Sequence, residues 1–185
     1  MTRNAVIFLV VAAALAGALA VPTNAHAQTH RRFAPPPPLA DVKPCDKVDM
    51  KAISVPSDFS IAYFAGPSHR NWPGRRTEVA VGTDGVVKYF VGNVPRTKGA
   101  PSELPLKQRK ISKEKVKRIY ARVVACGFFD LKRSYRNPRI RDGGYRRLSV
   151  TADGRTNHVG VSYYSVTRFS SIVAALGRET GVRLY

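Results

Sequence analysis

Twice in this chain an Asp-Gly pair separates two runs of alternating apolar residues, and each time a helical pattern follows. The first instance runs Thr77 to Val81, Asp84-Gly85, then Val86 to Val91. The second places Leu148, Val150 and Ala152 before Asp153-Gly154, with Val159 and Val161 alternating back. Period-two alternation marks strands with one buried face, and Asp-Gly between such runs is a strong hairpin signal because both turn positions favour positive φ. An earlier alternating run, Phe59, Ile61 and Tyr63, reads as a further strand ended by Gly66-Pro67.

The helices have their own punctuation. Ser112 can cap a helix start, Glu114 sits in the positive first turn, and Ile111 can staple to Val116. Val116, Ile119, Tyr120 and Val123 then share one face, and Gly127 supplies a stop. For the last helix, Ser165 or Thr167 is the expected cap, Phe169, Ile172, Val173 and Leu176 the apolar face, and Gly177 the end. Each helix must cover a surface and each hairpin must bury one face. The expectation is therefore an α+β domain: about five antiparallel strands with two helices on one face, built as two hairpin–helix units.

Residues 1–27 read as a signal peptide preceding that domain. Arg3 precedes an apolar run from Ala5 to Val21, and Ala25-His26-Ala27 offers the small residues a signal peptidase accepts. An uncleaved anchor is the alternative, since the run is at the short end of a membrane span. Cleavage leaves no transmembrane segment in the mature chain, and a periplasmic or secreted destination follows. Residues 28–56 form a proline-rich leader in which Pro35 to Pro38 are consecutive, and residues 57–185 are left as the domain. Export also bears on Cys45 and Cys126, the only two cysteines. In an oxidising compartment an even count favours a bridge, with two independent thiols as the alternative.

One stretch carries a more specific signature: Gly127-Phe128-Phe129-Asp130-Leu131, followed by Asp142-Gly143, set between the two hairpins. With the order of elements around it, residues 57–184 resemble a family of exported bacterial domains of unknown function. The resemblance implies the hairpin–helix fold and brings no activity with it.

No catalytic constellation emerges from the residues. Nucleophile-elbow, zinc-protease, P-loop and dinucleotide-binding patterns are missing, and the scattered carboxylates occupy turns and helix starts. Neither a metal nor a cofactor is indicated, and a non-enzymatic domain is expected. His158 alternates to the outward side of its strand and reads as a solvated histidine.

Charge is the feature that exceeds ordinary composition. The chain holds 31 Lys and Arg against 12 Asp and Glu, a net charge of +19. Between Lys107 and Arg147, 15 basic residues face only three acids. Such density opposes folding through self-repulsion and suits a polyanion. The candidate anion-binding residues are Lys113, Lys117 and Arg118 on the helix, with Arg133, Arg136, Arg139, Arg141, Arg146 and Arg147 in the following loop. Outside the cytoplasm the expected partners are anionic lipid, an acidic wall polymer or an acidic protein, and not nucleic acid. A second reading is an inhibitor or accessory protein that meets a protein target through His69, Trp72 and Arg75 together with the basic loop.

Overall fold

The alternating runs close into one seven-stranded sheet. The structure is a computed structural model that describes residues 44–67, 73–95, 104–137 and 144–184. All of them belong to one compact unit, Pro35–Tyr185. The strands are β1 (Ser60–Pro67), β2 (Gly74–Gly82), β3 (Val86–Val94), β4 (Lys107–Lys110), β5 (Ser134–Arg136), β6 (Gly144–Ala152) and β7 (Arg155–Ser162). The helices are α1 (Lys113–Ala125) and α2 (Thr167–Thr180). The sheet order is β4-β3-β2-β1-β6-β7-β5.

This arrangement corrects the expected architecture. The sheet has seven strands and is mixed, because β5 runs parallel to β7 while the other pairs are antiparallel. Two repeated hairpin–helix units do not describe it either. β1 sits between the hairpins, pairing with β2 on one side and β6 on the other. The two extra strands are KQRK and SYR, short and charged with no apolar alternation to announce them. They occupy the two edges, where short cationic strands discourage pairing with another chain.

Alternation sorts the side chains by face. Ile61, Tyr63, Val79, Val81, Val87, Leu148, Val150, Val159 and Val161 are buried on one side and form a single core with Val116, Ile119, Val123, Phe169, Ile172 and Leu176. Each such side chain contributes roughly 1.5–3 kcal/mol through removal from water. Both helices therefore cover the same face of the sheet, and α1 touches α2.

The helix ends show which local signals acted. Ser112 caps α1, its hydroxyl accepting from the Lys115 N–H at 3.4 Å. Gly127 follows in the left-handed region, φ 54°. α2 departs from expectation: no side chain caps it, and it passes through Gly177 to end at Gly181. At Gly177 the returning chain comes close, with the Val182 carbonyl 3.2 Å from where a Cβ would stand. The glycine serves packing inside the helix rather than termination.

Cys45 and Cys126 form a disulfide. It joins the segment before the sheet to the end of α1, where the Asp46 N–H also satisfies the Ala125 carbonyl at 2.8 Å. A loop of 81 residues closed in this way stabilises the fold by about 4 kcal/mol in the chain-entropy treatment.

Candidate functional site

The 107–147 cluster of cations, continuous in sequence, is divided in space. β4 and β5 lie at opposite edges of the sheet, six strand spacings or roughly 29 Å apart. Arg133 and Arg136 are exposed beside the β5 edge, while Lys107 and Lys110 are exposed on β4. Arg146 and Arg147 are neighbours in β6 and so take opposite faces. Arg146 points to the helix side, half-buried, donates to the Tyr164 carbonyl at 3.0 Å and lies over the Phe169 ring at 5.8 Å. That role is structural. Arg147 is exposed on the other face. Arg139 and Arg141 lie outside the described residues, as do His69 and Trp72. Arg75 is exposed at the start of β2, opposite Asn93.

On α1 the cations also divide. The Arg118 Nε donates to Glu179 Oε2 at 2.9 Å, and the Arg178 Nε donates to Oε1 at 3.1 Å. Burial pushes the Glu179 carboxyl up, but the two guanidinium hydrogen bonds outweigh it and hold the group below its ordinary pKa. Arg118 is thus engaged in fastening α1 to α2. Lys113, Lys115 and Lys117 make no ion pair among the described residues, and β4 leads into their helix through Ile111 and Ser112. Lys107 and Lys110, on opposite faces of the edge strand β4, and Lys113, Lys115 and Lys117 in the first turns of α1 make no ion pair among the described residues.

A different surface lies on the sheet face opposite α1 and α2. An open basin of about 460 Å³ runs across the central strands. Its floor is Ala62 of β1, Ala80 of β2 and Ser149 of β6, which are cross-strand neighbours in one row. Phe64 and Tyr145 form one wall, with their ring centroids 6.4 Å apart. Leu106 stands at the far end, 52% exposed. Arg76 lies buried beneath this layer, 5.2 Å from the Phe64 ring centroid and 3.3 Å from Glu78. At the β7 side His158 Nδ1 is 2.9 Å from Ser149 Oγ, so the exposed histidine is tied to the basin's edge. The available signal was the outward parity of Ala62, Phe64, Ala80 and Phe90, an apolar series where a solvated sheet face normally carries polar residues.

No protein-family model and no curated protein matches the chain.

Proposed function

We propose that this chain is an exported, non-enzymatic domain that docks on anionic envelope surfaces, above all anionic lipid, through Lys107, Lys110, Lys113, Lys115 and Lys117. The observation that carries the reading is the position of the lysines on α1. Three of the first five helical residues are Lys, against the single acid Glu114. Cations at a helix N-terminus oppose the macrodipole and cost a few tenths of a kcal/mol each. Glu179, the acid that α2 brings against α1, pairs with Arg118 and Arg178, and the lysines make no ion pair among the described residues. Charge placed against local stability and left without an internal partner is suited to an external one.

Two further observations fit. A disulfide is at home in an oxidising compartment, and no helix among the described residues is long and apolar enough to cross a membrane. Peripheral, electrostatic attachment is the mode such a surface supports. Arg133 and Arg136 are assigned a separate task, guarding the β5 edge.

Co-sedimentation with vesicles tests the proposal. Binding to anionic vesicles and not to neutral ones, weakening as salt rises, is the expected result. Each lysine near such a surface contributes about 1 kcal/mol. Reversing Lys110, Lys113 and Lys117 to Glu should therefore weaken binding more than about a hundredfold, whereas Arg133→Glu with Arg136→Glu should change it little. Equal loss from both sets would assign attachment to net charge alone, and no binding at low salt would reject the reading.

A further inference from the structure

The basin on the sheet face opposite the helices sets small residues, which strands disfavour, beside two aromatic rings. Ala and Gly are depleted in strands because they pack little against neighbours. Yet Ala62 and Ala80, both exposed, face one another on the two central strands. The Phe64 ring lies within 3.3 Å of where a Cβ on Gly66 would stand. Tyr145 leans over Gly160 in the same way, its ring 3.0 Å from the corresponding position. The glycines let both rings lie down along the sheet, and the alanines leave the hollow beside them.

The hollow carries a cation at each end, Arg147 on β6 and Lys88 on β3. At the β6–β7 side stand Arg147, with no ion-pair partner among the described residues, and the hydrogen-bonded Ser149–His158 pair. Toward β3 and β4 the lining becomes Ala62, Ala80, Leu106 and Lys88, whose single ammonium lacks the two-donor fork of Arg147. Glu78, the one acid in the lining, is answered by Arg76 and does not cancel Arg147. The row from Lys88 to Ser149 crosses three strand spacings, roughly 14 Å. Its volume falls within the few hundred to a thousand Å³ of ligand sites.

We infer that this basin is a binding site for a single-chain anionic amphiphile, taken up as a free monomer. The headgroup, a carboxylate or phosphate, meets the guanidinium of Arg147, whose planar fork suits two-oxygen contact. The chain lies across Ala62 and Ala80 toward Leu106. This site faces away from α1; Lys110 of the docking surface shares its face of the sheet, so the two proposals are told apart at Lys117 on α1.

Calorimetric titration of the full chain with dodecanoate, held below its micelle-forming concentration, tests the inference, with dodecanol as the neutral match. Saturable one-to-one binding of dodecanoate is expected, with dodecanol at least about tenfold weaker. Arg147→Gln should remove that preference. Ala80→Trp should abolish binding by filling the hollow, and Arg147→Gln decides the question should the tryptophan variant not fold. Lys117→Glu should leave dodecanoate binding intact while reducing vesicle binding, so the two proposals fail separately. Equal affinity for dodecanol, equal loss in Lys117→Glu, or binding only once micelles form would overturn the assignment.

Discussion

The carboxylate of Asp58 accepts the backbone N–H of Gly154 at 2.7 Å, across 96 residues of sequence. Its other oxygen accepts the Asp153 N–H at 2.9 Å, so one side chain before β1 holds the whole β6–β7 turn. The Gly154 amide hydrogen bond is the largest influence on the carboxyl; desolvation, the next, opposes it, and with the added hydrogen bonds of the Asp153 and Asp58 amides the pKa falls below the ordinary value of 3.8. A group with a depressed folded pKa stabilises the fold above its unfolded pKa and loses that contribution as pH falls through the folded one. Stability should therefore decline below about pH 4 with Asp58 contributing to the slope. Asp58→Asn keeps one acceptor and cannot titrate. It should be less stable than the parent at pH 7 and closer to it at pH 2, as read by urea midpoints at the two pH values. An equal deficit at both would remove Asp58 from the acid limb.

The two Asp-Gly turns look alike in sequence and differ in construction. Asp153 and Gly154 both have positive φ, 53° and 69°, and directly join the paired residues Ala152 and Arg155. At the first turn only Gly85 is in that region, φ 74°, its N–H donates to the Gly82 carbonyl at 3.1 Å, and the last paired residues are Val81 and Val87. Gly85 is also packed against the backbone carbonyl of Ile111, whose own N–H donates to the Gly85 carbonyl at 2.9 Å. A Cβ there meets main chain, whereas at Gly154 nothing stands within 4 Å. Gly154→Ala should cost about 1–2 kcal/mol, the strain of a left-handed alanine. Gly85→Ala adds a steric clash and should cost about 3 kcal/mol or more. Chemical denaturation of the two variants ranks them, and equal losses would contradict the packing difference.

What could be read in advance follows from which forces are local. The Ser112 cap, the apolar face of α1 and the alternation of Ile61, Val79, Leu148 and Val159 are local patterns and appear in the sequence as they appear in the sheet. β4 and β5 are held by pairing with β3 and β7, and their charged residues carry no hydrophobic period. Gly177 reads as a stop, yet α2 runs on to Thr180 and the glycine instead makes room for the Val182 carbonyl, a packing need that no apolar period announces. The same applies to function. Fifteen cations in one stretch suggest one patch, but a sheet sends its edges apart and strand alternation sends Arg146 and Arg147 to opposite faces. The amphiphile basin draws on β1, β2, β3 and β6 with Leu106, and no single segment contains it.

The cations of α1 can be separated by what they hold. Arg118 is bonded to the buried carboxylate of Glu179, which is also held by Arg178, while Lys117 makes no ion pair among the described residues. Arg118→Ala removes one charged hydrogen bond from a half-exposed guanidinium and should cost about 1 kcal/mol, with Arg178 retaining part of the attraction. Glu179→Gln weakens both contacts at once and should cost about 1.5 kcal/mol at neutral pH. Because the Glu179 carboxyl is held below its ordinary pKa, its contribution is present above the unfolded carboxylate pKa and fades as pH falls through the folded one. The Glu179→Gln deficit should accordingly shrink in acid. Lys117→Ala should leave stability within about 0.5 kcal/mol of the parent. Anionic-vesicle binding should show the reverse emphasis, with Lys117→Ala weaker than the parent and Glu179→Gln unchanged or tighter through the freed guanidinium groups. A stability loss in Lys117→Ala as large as in Arg118→Ala would place both residues in one structural network and leave α1 without a cation to spare.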